Sequence, residues 1–126
     1  MSLERQIYRS QAGKFENIKG NNILLIYGSS AATPNYAKDC EIGGNFTTEF
    51  DTTLFCRCKI GGNIIVMAER PGVVIMDRFT FENFTSKSTK GVADIEVISD
   101  LAMTRLFERQ YNESTTGKTD QELLSN

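Results

Sequence analysis

Two glycine pairs, Gly43-Gly44 and Gly61-Gly62, each stand between short β-prone segments, and this punctuation constrains the fold more than any other feature of the chain. Glycine pairs supply the positive φ angles of two-residue hairpin turns. Asp51-Thr52 is a weaker break, and Arg70-Pro71-Gly72-Val73 has proline and glycine where a type II turn wants them. Together they divide residues 37–84 into segments of strand length. Between the turns the apolar period is two. Leu54, Cys56, Cys58 and Ile60 alternate with Phe55, Arg57 and Lys59, which predicts one face of four inward residues, with Cys56 and Cys58 pointing into the core together. Phe46, Thr48 and Phe50 alternate likewise, and the run from Ile64 to Ala68, apolar on both faces, suits an interior strand. The run from Val73 to Phe84 reads as one long strand, with a bulge near Met76 or at a sheet edge. Asn22 to Tyr27 and Val92 to Ser99 bring the expected number of strands to about seven.

The stretch Cys40-Glu-Ile-Gly-Gly-Asn45 recurs as Cys58-Lys-Ile-Gly-Gly-Asn63. One coil of a parallel β-helix would produce such a repeat, but about three copies are needed for a stable stack, and the window from Met76 to Phe81 contains no glycine. Two similar hairpin turns account for the same residues without a third copy. The expected fold is therefore mainly β (α+β), a single-domain antiparallel β-meander of about seven strands forming a small barrel or sandwich.

Helices are expected only at the two ends. Ser99 or Asp100 can cap a helix in which Met103, Leu106, Phe107, Gln110 and Tyr111 share one face, and that face should pack on the sheet. Leu3 and Ile7 support a short helix over Ser2 to Arg9. Residues 1–111 then form one β-rich domain, and 112–126 a polar C-terminal arm whose apolar groups Leu123 and Leu124, with Tyr111 at its root, are the candidate interaction residues. So few apolar groups cannot offset about 1 to 2 kcal/mol of backbone entropy per residue without a partner surface. Seven strands and a closing helix also make an element order similar to that of the pleckstrin-homology superfold. Residues 28–37 contain no Lys or Arg, so that resemblance implies no phosphoinositide site here.

Composition bears mainly on function. The chain of 126 residues has no His, which removes the commonest general base and every Ser-His or Cys-His nucleophile. Its net charge of −2 is the opposite of a nucleic-acid footprint. Cys40, Cys56 and Cys58 lack a fourth zinc ligand, and free cysteine packs as a small hydrophobe. Asp77 is the sole acid on an apolar strand face, a candidate base if buried and unpaired, and otherwise a paired structural carboxylate. Gly117-Lys118-Thr119 lacks the upstream glycine of a phosphate-binding loop, because position 112 is Asn. The aromatic run Arg78 to Phe84 only partly matches a base-stacking strand, and a core or interface strand is the expected reading.

No secretion signal or spanning segment is present, so an intracellular origin is expected and the sequons at Asn45, Asn83 and Asn112 carry no meaning. Elimination leaves a noncatalytic structural or assembly protein, a β-rich subunit that pairs with itself or docks on another structural protein of a larger particle, with a virus or phage particle as one setting. No metal, cofactor, nucleic acid or membrane is expected. A small-ligand- or peptide-binding β-barrel ranks second, and a carboxylate-based enzyme third.

Overall fold

The computed structural model describes residues 5–10, 14–27, 34–111 and 119–125. The strands pair in parallel, coil upon coil, and form a β-solenoid of about four turns. This overturns the antiparallel meander. The chain enters as β1 (Arg5–Ser10) and then cycles through three sheets. Sheet B receives β2 (Lys14–Glu16), β5 (Asn35–Lys38), β8 (Thr52–Cys56), β11 (Gly72–Asp77) and β13 (Val92–Ile98), in that spatial order. Sheet C receives β3 (Lys19–Gly20), β6 (Glu41–Ile42) and β9 (Lys59–Ile60). Sheet A stacks β1 under β4 (Asn22–Tyr27), β7 (Phe46–Thr48), β10 (Ile64–Val66) and β12 (Thr89–Lys90). One further strand, β14 (Thr119–Ser125), lies antiparallel on the outer edge of β1.

The 18-residue repeat is one coil. Glu41 stands beside Lys59 and Ile42 beside Ile60 in sheet C, and the Asn45 side chain reaches the backbone N–H of Asn63, 18 residues on. Neither glycine pair makes a hairpin. The stacked coils approach so closely at this corner that a Cβ on Gly61 would lie 2.5 Å from the Gly43 carbonyl oxygen, and one on Gly62 2.7 Å from that of Gly44. Glycine is required by crowding, not by φ. An asparagine ladder completes the corner: Asn22 Oδ1 accepts the Asn45 N–H at 3.0 Å, and Asn45 Oδ1 accepts the Asn63 N–H at 2.9 Å. The expected hairpin at Pro71-Gly72 is likewise a corner, leading from β10 in sheet A to β11 in sheet B. Gly72 has no positive φ and packs on Val66.

Side chains stack in columns because parallel strands lie in register, about 4.8 Å apart. In sheet B the inward column is Phe15, Ala37, Phe55 and Met76, and in sheet A it is Ile23, Phe46 and Ile64, all fully buried. Phe46 meets Phe55 edge-on across the core at 5.2 Å, and Phe15 meets Tyr8 at 5.4 Å. Each fully buried side chain of this size stabilises the fold by roughly 1.5 to 3 kcal/mol.

The corner between sheets B and C reverses strand parity. Asn17, Asp39 and Arg57 stack there, each with positive φ near 55° (59°, 55° and 52°), and each N–H donates to the coil above. The reversal corrects the expected shared face of the cysteines. Cys58 lies in the inner core. Cys56 lies on the outer face of sheet B with Leu54, where Met103 and Phe107 cover it. Those two residues come from α2 (Asp100–Leu106) and the π-helical turn that follows it (Phe107–Tyr111), capped by Ser99 and packed on the sheet as its periodicity predicts.

Two further expectations fail for identifiable reasons. The described part of the expected N-terminal helix, residues 5–9, belongs to β1, whose Gln6 and Tyr8 continue the inward columns of Ile23 and Leu25. The long strand from Val73 to Phe84 stops at Asp77, whose carboxylate caps the short helix α1 (Arg78–Glu82) by accepting the Thr80 N–H at 2.9 Å. The aromatic run Arg78 to Phe84 is thus this helix and its exit, not the expected core or interface strand.

Candidate interaction surface

The coil winds as a ramp, so its ends are stepped. Sheet C ends at β9, extended only by the Ile60–Phe84 bridge, and sheet A ends at the two-residue β12, after which the chain adds β13, the last strand of sheet B. Ile95 and Val97 of β13 stand beside Val74 and Met76, which lie in the core, and so face inward. In this last coil sheet A contributes only the two residues of β12 and sheet C no described strand, and Ile95 and Val97 remain 41% and 39% exposed. The alternate residues Asp94 and Glu96 are exposed acids. Phe81 of α1 and Leu101 of α2 are exposed as well, and the Asp100 carboxylate ties the two helices together by accepting the Phe79 N–H at 3.0 Å. Within the described residues, no strand pairs with the outer edge of β13. An unpaired edge beside exposed apolar side chains is a surface built for strand addition.

A second concavity of about 450 Å³ runs along sheet C, lined by Lys19, Glu41, Lys59, Asn83 and Thr85 over the Gly43 and Gly61 corner. Lys19 and Glu41 form an ion pair of 3.6 Å between exposed side chains, a contact worth about 0 to 1 kcal/mol. Lys19 and Glu41 compensate one another, and Lys59 leaves the concavity a single net positive charge.

Asp77 is 1% exposed, but both its oxygens are committed, one to the Arg57 N–H and one to the Thr80 N–H, each at 2.9 Å. It serves as a cap. The three cysteines are free thiols in two separate clusters, and among the described residues no group of three or more metal-ligating side chains converges. Burial pushes the Cys56 thiol up to about 11 and the Cys58 thiol well above its ordinary value, which makes both poor nucleophiles. Arg57 is held more firmly protonated by its bond to Asp39.

Of the residues expected to mediate interactions, Tyr111 closes the π-helical turn and Leu123 and Leu124 lie in β14, with Leu124 opposite Ile7 of β1. The structure therefore places the end of the expected arm on an edge of the chain's own solenoid. Gly117 and Lys118 of the phosphate-loop imitation, and residues 112–118 of the arm, lie outside the described residues. The sequence reading missed Ile95 and Val97. Their alternation with Asp94 and Glu96 was visible, but not that their strand ends its sheet.

No protein family, curated protein or solved structure shows significant similarity to the chain. Among the described residues, no helix is long and apolar enough to cross a membrane.

Proposed function

We propose that the chain is a noncatalytic assembly module, a β-solenoid that associates end-on with copies of itself. The observation that carries this reading is the part-exposed inner face of β13, where Ile95 and Val97 lie in a last coil to which sheet A contributes only the two residues of β12 and sheet C no described strand. A core left open at one end gains from any surface that extends the coil. Roughly 25 cal/mol is gained per Å² of apolar surface removed from water, and strand addition also pairs the free edge groups of β13. The commitment of Asp77 to capping supports a noncatalytic role.

Light scattering on the full chain over a concentration series tests the proposal. The average mass should rise above 14.1 kDa with concentration, and Val97→Lys should suppress the rise while leaving the circular dichroism unchanged. A mass that stays monomeric into about the millimolar range, or assembly indifferent to Val97→Lys, would overturn it.

A further inference from the structure

We propose that the coil end at β13 receives the coil start of a second copy, head to tail, and that the chain's own β14 competes with this neighbour for β1. The inference rests on the end-on reading above and specifies its partner.

The two ends have complementary steps. At the near end β1 of sheet A precedes β2 of sheet B, and at the far end β12 of sheet A precedes β13 of sheet B, so both ends are stepped by part of a coil in the same sense. A second copy stacked on the first would lay its β1 on β12 and its β2 on β13, and so supply the layer that Ile95 and Val97 lack. The register then matches chemically. Lys14, Tyr36, Leu54, Ile75 and Glu96 form one column of sheet B, so the next residue in line is the second copy's Lys14. Phe15, Ala37, Phe55, Met76 and Val97 form the neighbouring column, which the second copy's Phe15 would continue. Antiparallel pairing of β13 with itself about Ile95 would instead set Asp94 against Glu96, and like charges directly opposite are unfavourable.

One strand stands in the way. The edge of β1 that would meet a neighbour's β12 is the edge on which β14 lies, with Ile7 opposite Leu124 and Arg9 opposite Gln121. Both strands cannot occupy it. A strand tethered to the same chain acts at an effective concentration on the order of millimolar, so β14 holds the edge until it is displaced or neighbours are abundant. Leu123 and Leu124 then belong to a guard strand that limits assembly.

The tests use the full-length chain. Adjacent parallel strands bring paired Cα atoms about 4.8 Å apart, within disulfide range. Under mild oxidation, a mixture of Glu96→Cys and Lys14→Cys proteins should form a covalent dimer that neither forms alone, with the wild-type chain and its buried cysteines as the blank. A full-length variant carrying both Gln121→Pro and Leu124→Pro, which lie on opposite parities of β14 and so remove ladder bonds whichever parity pairs, should assemble at a concentration at least tenfold lower than wild type. Cross-linking of Glu96→Cys with itself overturns the head-to-tail arrangement. So does an uncross-linked mixture whose mass still rises, although end-on association then survives. An unchanged or weakened assembly of the proline variant overturns the competition. A strictly monomeric chain in every case overturns both proposals.

Discussion

The carboxylate of Asp77 accepts the backbone N–H of Arg57 at 2.9 Å, where one coil lower the Asp39 N–H donates to the backbone carbonyl of Cys56. A side chain thus replaces a main-chain acceptor at the point where the fourth coil leaves the solenoid pattern to form α1. Thr80 repeats the substitution one step further on: its hydroxyl accepts the Cys58 N–H at 3.0 Å. Two polar side chains close the end of sheet C.

Asp77→Ala should therefore destabilise the fold by about 1 to 3 kcal/mol, because it removes a helix cap and leaves the part-buried Arg57 N–H without its acceptor. Asp77→Asn, which keeps one acceptor oxygen, should cost about half as much. Urea unfolding with an unchanged m-value checks both. Stability within 0.5 kcal/mol of wild type (about the scatter expected of neutral surface changes) would show that Asp77 is not the closure.

Replacing glycine at the stacked corner should depend on what lies above it. A Cβ on Gly62 would lie 2.6 Å from the Gly44 carbonyl carbon, which is backbone, whereas one on Gly43 first meets the Asn21 side chain at 3.0 Å. Backbone in a stacked coil cannot step aside, so Gly62→Ala should cost about 1 to 3 kcal/mol and Gly43→Ala less than about 1. Equal melting temperatures for the two variants would refute the crowding argument.

Strands were legible in the sequence where period-two alternation was undisturbed. Asn22–Tyr27 matches its expected bounds, and Val92–Ile98 ends one residue short of them. The connection between strands was not legible, because a glycine pair is compatible both with a hairpin that reverses the chain and with a corner that bends it. The deciding signal is the stack of Asn17, Asp39 and Arg57 in left-handed conformation, which composition does not announce when the residue is arginine. The repeat also appears clearly only once. The first coil is one residue shorter at this corner, with Gly20 beside Ile42 and Asn21-Asn22 where the next two have Gly-Gly-Asn, and the fourth substitutes α1 for its sheet C strand. The helix α2 was readable because its cap and apolar face are local features. The interaction surface was not, since an end exists only once the order of strands is known.

Thr53 and Thr80 are both fully buried, yet they should respond oppositely to valine. The Thr53 hydroxyl has no hydrogen-bond partner in the structure, whereas that of Thr80 accepts the Cys58 N–H. Thr53→Val removes a desolvated polar group at nearly constant shape and should be neutral or stabilising by up to about 1 kcal/mol; Thr80→Val should destabilise by about 1 to 3. Denaturation midpoints of the two variants decide this, and a large loss on Thr53→Val would mean that its hydroxyl has a bridging water.

Stability should fall in alkali through the outer cluster. Burial under Met103 and Phe107 raises the Cys56 thiol from its ordinary 9.0 to about 11. Above pH 9 the unfolded chain releases this proton while the folded chain retains it, so the folded state binds more protons and the free energy of unfolding declines as pH rises. The contribution is intact below pH 9, is lost progressively from 9 to about 11, and levels off beyond. Cys58, raised still further by burial in the inner core, adds a decline in the same direction that persists to higher pH. Cys56→Val, which has no proton to lose, should flatten the melting temperature between pH 9 and 11 relative to wild type, and the native thiol should resist alkylation at pH 8 until the chain is unfolded. A variant whose alkaline profile matches that of wild type would place the titrating group elsewhere. Rapid native-state labelling of Cys56 would show that α2 does not stay on sheet B.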